Sequence, residues 1–306
     1  MRDISVSQGY LYATIMEGIL YGFNIALSIV YAFVFDNKGQ FTNNVVKYSV
    51  YSMFILSTAH LGGAIRSLEE GFFTHSGPSD FYFNNKALPL NLVNKSLYGA
   101  TMVVGDALMI YRVWLIYGKS WKVVIFPMFT LLGTLVCTIF IVWELSQLKP
   151  GQTVFQKTVS TTVPAAFALP FATNIVITFL IVFRIKQAQD AIARLSASGV
   201  GVGTADKMYK RVVWGVIESC AIYPVFLLLS VVLYFLKTNA LALITGPMTQ
   251  VVAIVPTLMW LQVILGRSQY DQAAQAAGFT TETIGHGVPN WNAAGWEWGV
   301  RRDYDV

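Results

Sequence analysis

Seven stretches of this chain are predominantly apolar and long enough to cross a bilayer, at about 10–35, 46–67, 94–117, 122–145, 161–185, 211–236 and 240–266. A hydrocarbon core about 30 Å thick takes roughly 20 residues of helix at about 1.5 Å each. Lipid offers the peptide groups no hydrogen-bond partner, so each crossing segment must satisfy its own backbone as a helix. The expectation is an all-α, seven-transmembrane helix bundle over 10–266. A short outer N-terminus, 1–9, precedes it and a flexible cytoplasmic tail, 267–306, follows.

Charge supports this expectation. Only 12% of the 306 residues are charged and 55% are hydrophobic, whereas a soluble domain is about a quarter charged. So few charges cannot solvate a globular surface, but lipid requires no solvation. The basic residues sit between the apolar segments, where they set orientation in the membrane and do not form a nucleic-acid patch. Cys137 and Cys220 both lie inside apolar segments, away from any oxidant, so no structural disulfide is expected. The first segment is too long for the apolar part of a signal peptide and is expected to remain as a helix.

Orientation follows from Lys and Arg in the connections. With the N-terminus outside, the inner side holds Lys38, Lys47, Arg112, Lys119, Lys122, Arg184, Lys186, Arg194, Lys207, Lys210, Arg211 and Arg267. The outer side holds Arg2, Arg66, Lys86, Lys95, Lys149, Lys157 and Lys237, which makes 12 against 7. The excess places the C-terminus in the cytoplasm. The longest outer connection, 68–93, carries Phe72, Phe73, Phe81, Tyr82 and Phe83. It is read either as a cover over the outer mouth or as a loose loop touching headgroups. The stretch Ser196–Gly203 reads as a flexible linker by composition. Gly18 and Gly22 form a close-packing motif, used within a bundle or between two copies.

Polar groups inside the segments are the candidate functional set, because an ionised group at the bilayer centre costs roughly 2.5–3.5 kcal/mol on insertion scales. The first segment carries Glu17 and Asn24, the second His60 with Ser57, and the third Asp106 with Arg112 near its inner end. Asn174 follows in the fifth, Glu218 and Tyr223 in the sixth, and Gln250 and Thr257 in the seventh. Glu17 and His60 fall in the outer half, where pairing lowers the cost of both. Glu17, His60, Asp106, Asn174, Tyr223 and Gln250 are the candidate ligand-binding residues. Arg112, Glu218 and the mid-helix Pro224 are the candidate switch; Arg112 is alternatively a side chain reaching to lipid phosphates. For each, the competing reading is a structural hydrogen bond between helices. No metal-ligand cluster, nucleotide loop or hydrolase motif is present, and the seventh segment has no lysine for a retinal Schiff base. Neither a metal nor a cofactor is expected.

The run Val104-Gly-Asp-Ala-Leu-Met-Ile-Tyr-Arg-Val-Trp114, continued by Gly118-Lys-Ser-Trp-Lys-Val-Val124 and Pro127, resembles the third-to-fourth-helix signature of the seven-helix membrane proteins of basidiomycete (mushroom-forming) fungi. Glu17–Gly22, Thr58-Ala-His60, Ala172-Thr-Asn174 with Arg184-Ile185, and Glu218-Ser219 with Tyr223 extend the likeness over about 15–268. The resemblance implies a seven-helix fold and a fungal source, and no particular activity. The plan is also similar to G-protein-coupled receptors. However, Tyr111-Arg112-Val113 stands where they have Asp/Glu-Arg-Tyr, and Asn-Pro-x-x-Tyr is missing from the seventh segment.

These features lead to a receptor-like protein of the plasma membrane. It is expected to bind a small, largely apolar ligand in a cavity among the second, third, fifth, sixth and seventh segments, and to signal to a cytoplasmic partner. The alternatives are an intramembrane enzyme of the isoprenoid-cyclase type and a scaffold without a ligand. In the enzyme, Asp106, Glu218, or Glu17 with His60 would supply the proton.

Overall fold

A computed structural model describes residues 4–37, 44–148, 162–197 and 203–276. All seven apolar segments are helical. They are α1 (Val6–Asn37), α2 (Asn44–Glu69), α4 (Pro89–Ile116), α5 (Trp121–Ser146), α6 (Thr162–Ala197), α7 (Gly203–Phe235) and α8 (Leu241–Ala276). Between α2 and α4 come a π-helical turn, Glu70–Thr74, and a short helix, α3 (Ser79–Asn84). No strand occurs among the described residues. Helix α8 continues ten residues beyond Gly266, where the tail was expected to begin; 277–306 lie outside the described residues. So does most of the expected linker, at 198–202.

Five helices are long and apolar enough to cross a membrane among the described residues: Val6–Val34, α4, α5, Thr162–Arg184 and Leu241–Gln262. A shorter apolar helix, Ala221–Phe235, lies in α7. Helix α2 is not among the five, being interrupted by Ser49, Ser52, Ser57, Thr58, His60 and Arg66. The surface fits lipid: Ile19, Phe33, Phe129, Ile139 and Phe179 are all more than 60% exposed, whereas Glu17, Asn24, Ser57 and Asp106 are buried. A water-soluble bundle has the opposite arrangement. The chain is therefore a multi-pass integral membrane protein.

The seven long helices close into a ring in which each packs on the next in chain order and α8 returns to α1. Helices α4 and α8 also touch each other across the ring. Two-thirds of the apolar stretch of α4 is buried (67%), against 22% for α5, so α4 is the central post and α5 faces lipid. Its core partners include Met53, Ile177, Leu227, Met248, Val252 and Met259. Where α4 ends, Gly118 and Lys119 both adopt left-handed backbone (φ 61° and 62°). The Lys119 amide then closes on Trp114 O at 2.8 Å, and the chain reverses into α5 within four residues.

The aromatic connection packs onto the start of α1 and is not a loose loop. Phe83 is fully buried and stacks on Tyr10 with ring centres 5.0 Å apart. The Tyr82 hydroxyl donates to Glu70 Oε2 at 2.9 Å, and burial, with that bond, pushes its phenol up to about 12. Asp80 Oδ1 accepts the Ser7 backbone N–H at 2.8 Å, capping one of the open donors in the first turn of α1. Hydrogen bonding from Ser7, side chain and backbone, holds the Asp80 carboxyl below the usual carboxylate range.

Two predictions follow from this packing. A Cβ built on Gly99 would collide with Thr138 of α5, whereas Gly18 and Gly22 have nothing within 4 Å and are exposed. Gly99→Leu is expected to lower stability by about 1–3 kcal/mol through overpacking, and Gly18→Leu by less than about 0.5 kcal/mol, measured by unfolding in detergent. A lowered folded-state carboxyl stabilises above the unfolded value, about 3.9 for Asp, and loses that contribution as pH falls through the folded value. Ser7 amide exchange, corrected for its intrinsic rate, should therefore quicken on acidification below about pH 4 in the native chain but not in Asp80→Asn.

Candidate functional site

Helices α1, α2 and α8 meet along a seam of buried polar side chains. His60 Nδ1 of α2 donates to Glu17 Oε1 of α1 at 2.7 Å; the donor is assigned to the ring because the carboxylate oxygen already accepts another hydrogen. That hydrogen comes from Gln250 Nε2 of α8, at 3.2 Å, and the same amide nitrogen also donates to Ser57 O at 3.0 Å. Asn24 Nδ2 donates to Gln250 Oε1 and to Ser57 Oγ, both at 3.1 Å. The Ser57 hydroxyl in turn donates to Phe54 O at 3.0 Å. Both hydrogens of each amide are thereby used, and Glu17, Asn24, Ser57 and Gln250 are at most 1% exposed. The periodicity explains the meeting: Glu17 and Asn24 are seven residues apart on α1, and Ser57 and His60 three apart on α2, so each pair lies on one helical face.

A second polar pair lies elsewhere. Asn174 Nδ2 of α6 donates to Asp106 Oδ1 of α4 at 2.9 Å and to Pro170 O at 2.9 Å. Asp106 Oδ2 and the Tyr223 hydroxyl are buried without a hydrogen-bond partner among the described residues. Tyr98 and Tyr223 both lie within electrostatic reach of Asp106. The Tyr98 ring tilts against His60 at 6.5 Å and its hydroxyl points at Met248 Sδ, 3.2 Å away. Tyr98 thus packs on the first polar group and lies within electrostatic reach of the second.

The candidate switch residues lie in different surroundings. Arg112 is 2% exposed and sits over the Trp260 ring at 5.8 Å, so it does not reach out to the lipid surface. Glu218 is exposed on α7. Pro224 lies inside α7, which continues through it as helix.

A cavity of about 180 Å³ opens elsewhere, at the face of the bundle that carries the chain's N-terminus. Its mouth is formed by Val6, Tyr10, Lys86, Thr238 and Asn239, and its floor by Met102 and Phe167. The walls come from α4, α5, α6 and the start of α8, so it sits one helix away from the expected place and α2 contributes nothing. None of the six candidate ligand-binding residues lines it. Glu17, His60, Gln250, Asp106 and Asn174 join helices through the hydrogen bonds described above. Tyr10, Lys86, Lys95 and Tyr98 are the lining residues that polarity in the segments did not single out. The available signal was spacing: Asn91, Lys95, Tyr98, Gly99 and Met102 fall on one face of α4. No protein-family model, curated protein or solved structure matches the chain.

The two polar groups should respond differently to substitution. Gln250→Leu leaves Glu17 and Asn24 with unmet bonds and is expected to cost about 2–3 kcal/mol. Asp106→Asn retains an acceptor for Asn174 and exchanges the unpartnered oxygen for an amide nitrogen, so it should cost about 1 kcal/mol, less than Gln250→Leu. Unfolding midpoints of the two variants in the same detergent check the ordering.

Proposed function

We propose that this chain is a receptor-like seven-helix protein of the plasma membrane, related to those of basidiomycete fungi, that binds a small, largely apolar ligand from outside. The observation that carries the reading is the cavity at the N-terminal face, floored by Met102 and Phe167 and walled by Ile141, Val142, Leu145 and Val163. An apolar cavity of about 150 Å³ is known to hold benzene, so about 180 Å³ suits a single ring or a short chain. The 12-to-7 excess of basic residues supports the orientation in which this mouth faces outward. A cyclase would need a carboxyl against its substrate to give up a proton. The lining has neither Asp nor Glu, which favours receptor over enzyme. Helices α6 and α7, each carrying an internal proline, would transmit occupancy to a cytoplasmic partner.

Orientation is tested with single cysteines in a chain whose Cys137 and Cys220 are replaced by Ala. A cysteine at Ser76 should react with an impermeant maleimide on intact cells, and one at Ser120 only after permeabilisation. The reverse result overturns the topology. Occupancy is tested with 1-octanol on the full chain in phosphatidylcholine nanodiscs. Saturable binding is expected in the native chain and its loss in Ala166→Phe, which grows a ring into the cavity. Equal binding in both would place the ligand elsewhere.

A further inference from the structure

The cavity is apolar along its walls but cationic at its mouth. Lys86 and Lys95 both line it, both are half-buried, and no acidic residue joins them in the lining. Neither lysine forms an ion pair among the described residues. Their known contacts are to aromatic faces and neutral oxygens. Lys86 Nζ lies 4.7 Å over the Tyr10 ring, donates to the Tyr10 hydroxyl at 3.0 Å, and donates to Phe83 O. Lys95 Nζ lies 5.6 Å over the Tyr98 ring and has no hydrogen bond among the described residues. Both ammonium groups line the same cavity as the Tyr10 ring and lie within electrostatic reach of its hydroxyl. The nearest acid on α5, Glu144, accepts Thr162 Oγ1 at 3.2 Å and is not part of the lining.

An ammonium carries three donors. Lys86 commits two of them and Lys95 none, so several N–H groups remain open at the mouth of an apolar hole. Two like charges held half out of water without a counter-ion are unfavourable, and an anion seated between them removes that cost. Its hydrogen bonds would be charge-assisted, roughly twice as strong as neutral ones. The floor lies close beneath: Met102 is seven residues from Lys95, roughly 10 Å along α4. That depth fits one short chain or one ring and not the two tails of a phospholipid.

We propose that the cavity selects a small monoanionic amphiphile, of the medium-chain carboxylic acid class, with its carboxylate between Lys86 and Lys95 and its apolar body against Met102, Ile141 and Phe167. This rests on the cavity reading above and adds the sign of the ligand's charge. Lys95 is the selectivity residue to test, because it holds no hydrogen bond whose loss would disturb the fold.

The test uses the full chain in phosphatidylcholine nanodiscs, with octanoate and 1-octanol as probes and empty discs subtracted. Octanoate should bind at least about tenfold more tightly than 1-octanol, a gap of about 1.4 kcal/mol. Lys95→Gln should remove that preference, the loss falling on octanoate affinity, while leaving the unfolding midpoint unchanged. Lys122→Gln, in the first turn of α5 and outside the cavity lining, should keep the preference. Equal affinity for the two probes, or a preference that survives Lys95→Gln, overturns the anion reading and leaves the cavity reading standing. Failure of both probes overturns both. Discs containing phosphatidylglycerol should leave octanoate binding within about twofold; its abolition there would assign the lysines to a lipid headgroup and overturn the proposal.

Discussion

Everything in this bundle depends on polar groups that have been taken out of reach of water and must find partners within the protein. Glu17, His60, Asn24, Ser57 and Gln250 meet that requirement together. In hydrocarbon, an unmet donor has no solvent to return to, so the alternatives to this one arrangement are all costly. The result is registration: α1, α2 and α8 are fixed along their axes by side chains that reach their partners at one offset only. The apolar surfaces around them hold no such information, since leucine against leucine is as good as leucine against lipid.

The fold was largely legible in the sequence because hydrophobic length is a local quantity. Each of the seven segments could be read without knowing its neighbours, and each is a helix. The Glu17–His60 pair was legible too, because two ionisable groups at similar depth on successive helices have few other ways to be tolerated. What could not be read was how the polar set divides. Gln250 belongs to the Glu17 cluster and not to the Asp106 pair, because helix rotation decides which neighbour a side chain meets and composition does not encode rotation. Arg112 shows the same limit: its position suggested the lipid surface or a carboxylate on α7, and the structure puts it over Trp260.

The cavity escaped a search for buried charge because its charged residues stand at its rim. Lys86 and Lys95 contribute to the basic count of the outer connections, and as charges there they look unremarkable. Their significance comes from tertiary placement, α3 folding down on α1 so that Lys86 reaches Tyr10, and α4 turning Lys95 and Tyr98 to the same side. Tyr98 occupies a special place in this plan. It lines the cavity and leans on His60, so a change at the mouth has a short path of contacts into the Glu17 cluster.

The saturated seam between α1, α2 and α8 also bears on ancestry. Because Gln250 uses both amide hydrogens and its oxygen on three different residues, no single exchange at that position leaves its neighbours satisfied. The same holds for Asn24. Positions 17, 24, 57, 60 and 250 are therefore coupled: a change at one of them strands a partner at another. They span nearly the whole helical domain in sequence, so their joint variation among relatives would be the trace left by this seam.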